Sequence, residues 1–213
     1  MGKPFFCVLE GIDGSGKGTQ LWLMERRMRK EGFEILATRE PTQTLTGYFL
    51  KIVLKMGDIH PLTDCFLFAA DRAEHVDKLI LPALNENKVV LCERYLFSSI
   101  AYQTMKGVDE TLIRSMHEFA LMPDLTILID VSPEVTMKRK EQVLHYEGEK
   151  FENVEFLTGV RKKYHELARR HHMVIVDGDR DEMVVHEEIW RIFKERYDAK
   201  SVQTDIARFV DEE

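Results

Sequence analysis

The stretch LEGIDGSGKGTQ, Leu9–Gln20, decides the fold. It follows the apolar run FFCVLE (5–10) and opens a helical pattern, so the order is strand, glycine-rich turn, lysine, helix. Gly11, Gly14 and Gly16 carry no side chain, which lets backbone N–H groups from Gly11 through Ile12, Asp13, Gly14 and Ser15 to Gly16 curl around phosphate oxygens. Lys17 brings a point charge to the β and γ phosphates, and the helix beginning with Gly18 and Thr19 turns its positive end toward the same anion. Two residues depart from the usual pattern. Asp13 places a carboxylate inside an anion-binding loop, and Gly18 stands where Ser or Thr would touch Mg²⁺. Thr19 points elsewhere on the helix. Metal contact is therefore assigned to phosphate oxygens and water, with Thr19 and the strand-end acid Glu93 acting through water.

Outward from the loop, short apolar runs alternate with longer helical patterns. The runs at 5–10, 34–38, 88–93, 125–131 and 173–178 are nearly continuous, as strands covered on both faces should be. Helices are predicted at 17–31, 46–57, 62–86, 97–105, 109–121, 133–143, 152–171 and 181–197, with Ser132 capping the segment that Pro133 begins. That alternation predicts an α/β fold: a P-loop NTPase-type three-layer α/β/α domain with a five-stranded parallel sheet. Polar EQVLHYEGEK (141–150) marks a short mobile lid at about 138–153, and residues 198–213 a helical or loose C-terminal extension.

At 213 residues, 44% hydrophobic and 31% charged, the chain has enough core to need no disulfide or metal staple. A net charge of −7 argues against a nucleic-acid-binding surface. Cys7, Cys65 and Cys92 have no paired spacing and read as buried thiols in a reducing compartment. No apolar run reaches a membrane span and the N-terminus has no signal-peptide core, so a cytoplasmic protein without membrane attachment is expected.

Further segments fall at strand ends. TREP (38–41) ends a strand on Arg39, and ERYLFSSIAYQ (93–103) places Arg94 just past another. FLFAADRAEH (66–75) sets Phe68 and Arg72 four residues apart, on one helical face; a ring beside a guanidinium suits a planar base bearing carbonyls.

This set resembles the thymidylate kinases, whose patterns FEGIDGxGKxTQ, TREP, LFxADRxxH, DRYxxSxxAYQ and DVxPExxxxR have counterparts here in order, over about residues 4–197. The resemblance implies transfer of the ATP γ-phosphate to dTMP, with Mg²⁺, by a homodimer formed through helical faces. It implies that Arg39 and Arg94 grip the acceptor phosphate, Phe68 stacks on thymine, and Arg72 donates to its carbonyl. Ser98, Ser99 and Gln103 are expected near the base edge, which of them meets N3 being left open. Tyr102 would stand where a ribose 2′-hydroxyl would sit, and Asp13 would accept from the 3′-hydroxyl. Adenine would rest between Arg139 and the loop of Asp179 and Arg180.

Departures from the family pattern bear on the chemistry. Gly14 replaces the arginine that some relatives carry in the loop, so the catalytic cation should come from the lid, with Lys138, Arg139, Lys140 and Lys150 as candidates. ERY replaces DRY, and TQT (42–44) replaces Gly-Gly-Thr. The ending GKGTQ is that of adenylate kinases, which keeps an AMP or UMP/CMP kinase as the alternative; a nucleotide-dependent switch ATPase is the alternative from another class.

Overall fold

The computed structural model describes residues 2–57, 59–143 and 153–210, with backbone only for 140–143 and 201–210. Strands β1 (Phe5–Glu10), β2 (Ile35–Arg39), β3 (Val89–Glu93), β4 (Leu125–Asp130) and β5 (Val174–Asp177) form one parallel sheet in the order β2-β3-β1-β4-β5. The α-helices are α1 (Lys17–Lys30), α2 (Leu45–Met56), α3 (Pro61–His75), α4 (Leu81–Asn85), α5 (Leu96–Met105), α6 (Glu110–Met116), α7 (Pro133–Val143), α8 (Val154–Arg170) and α9 (Glu182–Val210).

Central strand β1 shows why the runs are apolar throughout. Phe5, Cys7 and Leu9 point into one layer, with Leu21, Met24 and Met28 of α1 and Ile189 and Phe193 of α9. Phe6 and Val8 point into the other, with Ile100 of α5 and Leu157, Tyr164 and Leu167 of α8. Two-faced burial of this kind needs helices on both sides, hence three layers. The register pairs Leu9 with Glu93 and Arg39 with Glu93, so β1, β2 and β3 deliver their C-terminal ends to one edge.

All five strands lie within a residue of their predicted bounds. The helix predicted over 62–86 is interrupted: a π-helical turn, Val76–Ile80, separates α3 from α4. Pro82 lacks the N–H that would bond back into that turn, and the wider turn absorbs the mismatch. The helix predicted over 109–121 stops at Met116, where His117 leaves helical geometry (φ −117°, ψ 17°) and its ring meets Arg72. The helix predicted to end at 197 continues through α9 to Val210, no Gly or Pro interrupting it. Ser132 caps α7 as expected, its Oγ accepting from Val135 N at 3.4 Å. The lid expectation falls largely on residues outside those described, including Lys150 and the Lys140 side chain.

Cys7, Cys65 and Cys92 are buried and unbridged. Among the described residues no helix is long and apolar enough to cross a membrane.

Candidate active site

The phosphate loop leaves β1 at its C-terminal end, in the crevice where the sheet's connections diverge to either side. Gly11 has φ +148°, and a Cβ there would lie 2.6 Å from Ile129 O, so only glycine fits. Gly16 caps α1 in the left-handed conformation at φ 94°. Lys17 is 3% exposed and folds back on its own loop, donating to Ile12 O at 2.7 Å and Ser15 Oγ at 3.4 Å. Burial, then the charge of Arg94, pushes its ammonium down to about 7, against the pull of Asp13, Glu93 and Glu10. A buried ammonium with hydrogen bonds only to its own loop suits the binding of an anion such as phosphate.

Asp13 is ion-paired with Arg94, which takes φ 66° just past β3. The Tyr102 hydroxyl accepts from Asp13 N at 3.1 Å and donates to Asp13 Oδ2 at 3.4 Å. Three residues assigned separately to one acceptor thus converge. Beneath them is a group the sequence reading gave no role. Glu10, wholly buried, accepts at Oε1 from the N–H groups of Tyr95 (3.0 Å) and Ser98 (3.1 Å), and at Oε2 from Ser98 Oγ (2.6 Å) and Tyr164 OH (2.9 Å). It caps α5 from a distance, α5 having no side-chain cap of its own. Burial raises its carboxyl above the ordinary range, and the hydrogen bonds oppose that. A charge at the end of an apolar strand was the available signal. Ser98, expected at the base edge, lines the cleft but commits its hydroxyl to Glu10.

Phe68 and Arg72 of α3 and Ser98, Ser99, Tyr102 and Gln103 of α5 line one cleft of about 210 Å³. Asp13 and Arg94 line it too, and Pro41, Leu54 and Lys106 add walls that the sequence reading did not assign. Arg72 is 1% exposed and anchored: Nε and Nη2 donate to Glu40 at 3.1 and 2.5 Å, and Nη1 donates to the His117 ring at 3.0 Å. Burial, then the Arg72 charge, holds His117 down to about 3, so it is neutral and can accept. Arg39 is not among the cleft residues. It lies half-exposed at the end of β2 with Nη2 3.7 Å from Glu93 Oε2.

A second cleft, of about 220 Å³, is lined by Ser15, Gly16, Thr19, Arg139, Gly178 and Arg180 among others. Arg139 donates to Gly178 O at 2.9 Å, which joins α7 to the loop after β5 where the adenine was expected. Thr19 faces this cleft; Gly18 is the residue that faces Glu93, where an added Cβ would lie 3.5 Å from Oε2. That oxygen is buried with no hydrogen-bond partner among the described residues. A buried carboxylate oxygen that accepts no hydrogen bond, with Arg39 Nη2 3.7 Å away, suits a hydrated divalent cation.

Two clefts sharing one phosphate loop, at the C-terminal edge of a parallel three-layer sheet, define a P-loop phosphotransferase. The family model described as thymidylate kinase matches residues 9–189. The chain is 37% identical over 201 residues to the thymidylate kinase of Halothermothrix orenii, covering 90% of this chain and 97% of that protein. It is 41% identical over 200 residues to a probable thymidylate kinase of Pyrococcus abyssi, with the same two coverages of 90% and 97%. A probable thymidylate kinase of Methanocaldococcus jannaschii is 40% identical over 186 residues, 86% of this chain and 93% of that protein. The chain belongs to the thymidylate kinase family.

Proposed function

We propose that the protein is an ATP-dependent kinase that converts dTMP to dTDP for dTTP synthesis. The observation that carries this is the shared loop: Asp13 lines the Phe68 cleft, while Ser15 and Gly16 line the Arg139 cleft. Donor and acceptor bound in the two clefts would meet over Lys17.

An oxygen of the acceptor 5′-phosphate attacks the γ-phosphorus in line, the bond to the β-phosphate oxygen breaks, and ADP leaves with the electron pair. The attacking oxygen is already anionic, so positioning and charge neutralisation carry the catalysis. Lys17 releases its internal contacts and takes the donor's phosphates, while Arg94 turns its guanidinium from Asp13 to the acceptor phosphate. Asp13, relieved of Arg94, accepts from the sugar 3′-hydroxyl, and Tyr102 fills the space a 2′-hydroxyl would need. Phe68 stacks on the base, and Arg139 and Arg180 hold adenine. Mg²⁺ bound with ATP would screen the phosphates, its water shell held by Glu93.

Exposed apolar residues gather on α2 (Leu45, Tyr48, Phe49, Ile52, Met56), and Phe66 of α3, the helix packed against it, is exposed as well. Leu54 and Phe68 of the same helix pair line the acceptor cleft, so a second copy seated there would brace the site. This supports a homodimer, and the buried, unbridged thiols support a cytoplasmic setting.

Phosphorus NMR of the protein with ATP, Mg²⁺ and dTMP should show ADP and dTDP appearing in equal amounts. ADP and inorganic phosphate at the same rate without dTMP would mark a switch ATPase instead.

A further inference from the structure

We infer that Asp64 and Lys106 set the base specificity of the acceptor cleft by fixing which end of the Gln103 side-chain amide is available to the base. The inference rests on the dTMP-kinase reading and deepens it.

Gln103 lies on α5, lines the cleft and is 1% exposed. Its Nε2 faces Asp64 Oδ2 at 3.4 Å. Asp64 is wholly buried in the first turn of α3, and its only cationic neighbour among the described residues is Lys106, with Nζ 2.6 Å from the same Oδ2. Lys106 itself is fixed by the end of α5: its N–H bonds to Tyr102 O at 3.1 Å, and Gly107 turns the chain at φ +89°.

The chemistry of this triad decides the amide's orientation. An amide has one accepting end and one donating end, and a carboxylate only accepts. The NH₂ end must therefore face Asp64, since turning the carbonyl oxygen toward a buried carboxylate would oppose two acceptors. Oε1 is left as the end without a protein partner, and it has none among the described residues. A buried acceptor of this kind requires a donor. Thymine and uracil carry an N–H at N3, whereas cytosine presents a bare acceptor there. The orientation of one amide, imposed from outside the cleft, thus favours dTMP and dUMP over dCMP. Sites that hydrogen-bond a substrate donor reject analogues lacking it far more strongly than apolar pockets reject a methylene. Asp64 and Lys106 are positioning residues here.

Asp64→Asn tests this. A neutral amide at 64 can donate to Oε1, which frees Gln103 to turn its NH₂ group to the base. With ATP saturating, the ratio of kcat/KM for dTMP to that for dCMP should fall at least about tenfold, mainly through KM for dTMP. The dTMP-to-dUMP ratio should stay as it is, because those two differ only at the 5-methyl, and KM for ATP should not move. Lys106→Gln, which removes the cation and leaves Asp64 in place, should shift the dTMP-to-dCMP ratio in the same direction and by less. Lys106→Arg should restore it. Equal losses on dTMP and dCMP in Asp64→Asn, or an unchanged ratio in a folded Lys106→Gln protein, would overturn the inference. A wild-type protein that turns over AMP and no pyrimidine nucleotide would instead sink the dTMP reading on which it stands.

Discussion

Glu93 stands across the phosphate loop from Gly18: a Cβ added to Gly18 would lie 3.5 Å from Glu93 Oε2 and 3.8 Å from Oε1. Those are ordinary contact distances, so the missing hydroxyl side chain and the longer acid face one another. Gly18→Ser should fold with stability raised by about 0.5 kcal/mol from helix propensity. Its new hydroxyl would donate to Glu93 Oε2, which accepts no hydrogen bond among the described residues. Glu93→Gln should raise the Mg²⁺ concentration for half-maximal activity by about tenfold, in the range seen when residues supporting a bound metal are removed. An unchanged Mg²⁺ titration would remove Glu93 from the metal's surroundings.

Lys17 predicts a proton-linked binding step. Its folded-state value near 7 is below its ordinary 10.5, so at pH 8 the free protein holds it mostly neutral. Phosphate oxygens restore the charge, so ATP binding should take up close to one proton at pH 8 and almost none at pH 6. Calorimetry in buffers of different ionisation enthalpy reads this directly. The sign for stability follows: the unfolded chain binds the extra proton between about 7 and 10.5, so Lys17's burial penalty is full below that window and eases as pH rises through it. Lys17→Ala should remove the proton uptake and nearly all transfer.

Arg72 and Glu40 are 1% and 2% exposed in their side chains, so Arg72→Ala takes the guanidinium from a buried carboxylate and leaves it, among the described residues, only the His75 ring, Nδ1 at 3.0 Å. It should cost about 3–5 kcal/mol of stability, seen in thermal or urea melts, besides any loss of dTMP binding. Arg72→Lys keeps the charge and loses the forked contacts. Its stability should fall less, and KM for dTMP should rise with KM for ATP unmoved. A fully stable Arg72→Ala protein would refute the ion pair's structural weight.

Tyr102→Ala opens the space beside Asp13 and removes the hydroxyl that bridges its N–H and carboxylate. The kcat/KM ratio of UMP to dUMP should rise several-fold, while Tyr102→Phe, which keeps the ring, should leave it nearly unchanged. Equal ratios in wild type and Tyr102→Ala would exclude the ring as the 2′-hydroxyl gate.

Ile52 is about half exposed at the centre of the apolar stripe on α2. Ile52→Arg should convert a dimer into a monomer by light scattering, because an unpaired charge in an interface core is strongly unfavourable. A wild-type protein that is monomeric at micromolar concentration would dispose of the dimer.

The strands and the loop were legible because their signals are local: continuous apolar runs and glycine spacing. Arg94 was legible as a cation just past a strand, and Gln103 as an amide on the helix that follows. What supports them was not. Glu10, Glu40, Asp64 and His117 reach their partners across 88, 32, 39 and 45 residues of chain, and nothing within a sequence window ties such groups together. Arg39 shows the converse. Its motif was plain, yet its side chain lies against Glu93 and outside the acceptor cleft, because strand register fixes its backbone and leaves the guanidinium exposed. The π-turn before Pro82 was hidden for a different reason: helical periodicity barely changes across a single wide turn.

On the dTMP-kinase proposal, the Phe68 cleft selects dTMP as phosphoryl acceptor. Steady-state kinetics with saturating MgATP against dTMP, dUMP, AMP, UMP and thymidine test it most directly. The highest kcat/KM is expected for dTMP, a lower value for dUMP, and negligible turnover of AMP and thymidine. Efficient phosphorylation of AMP with none of dTMP would contradict it.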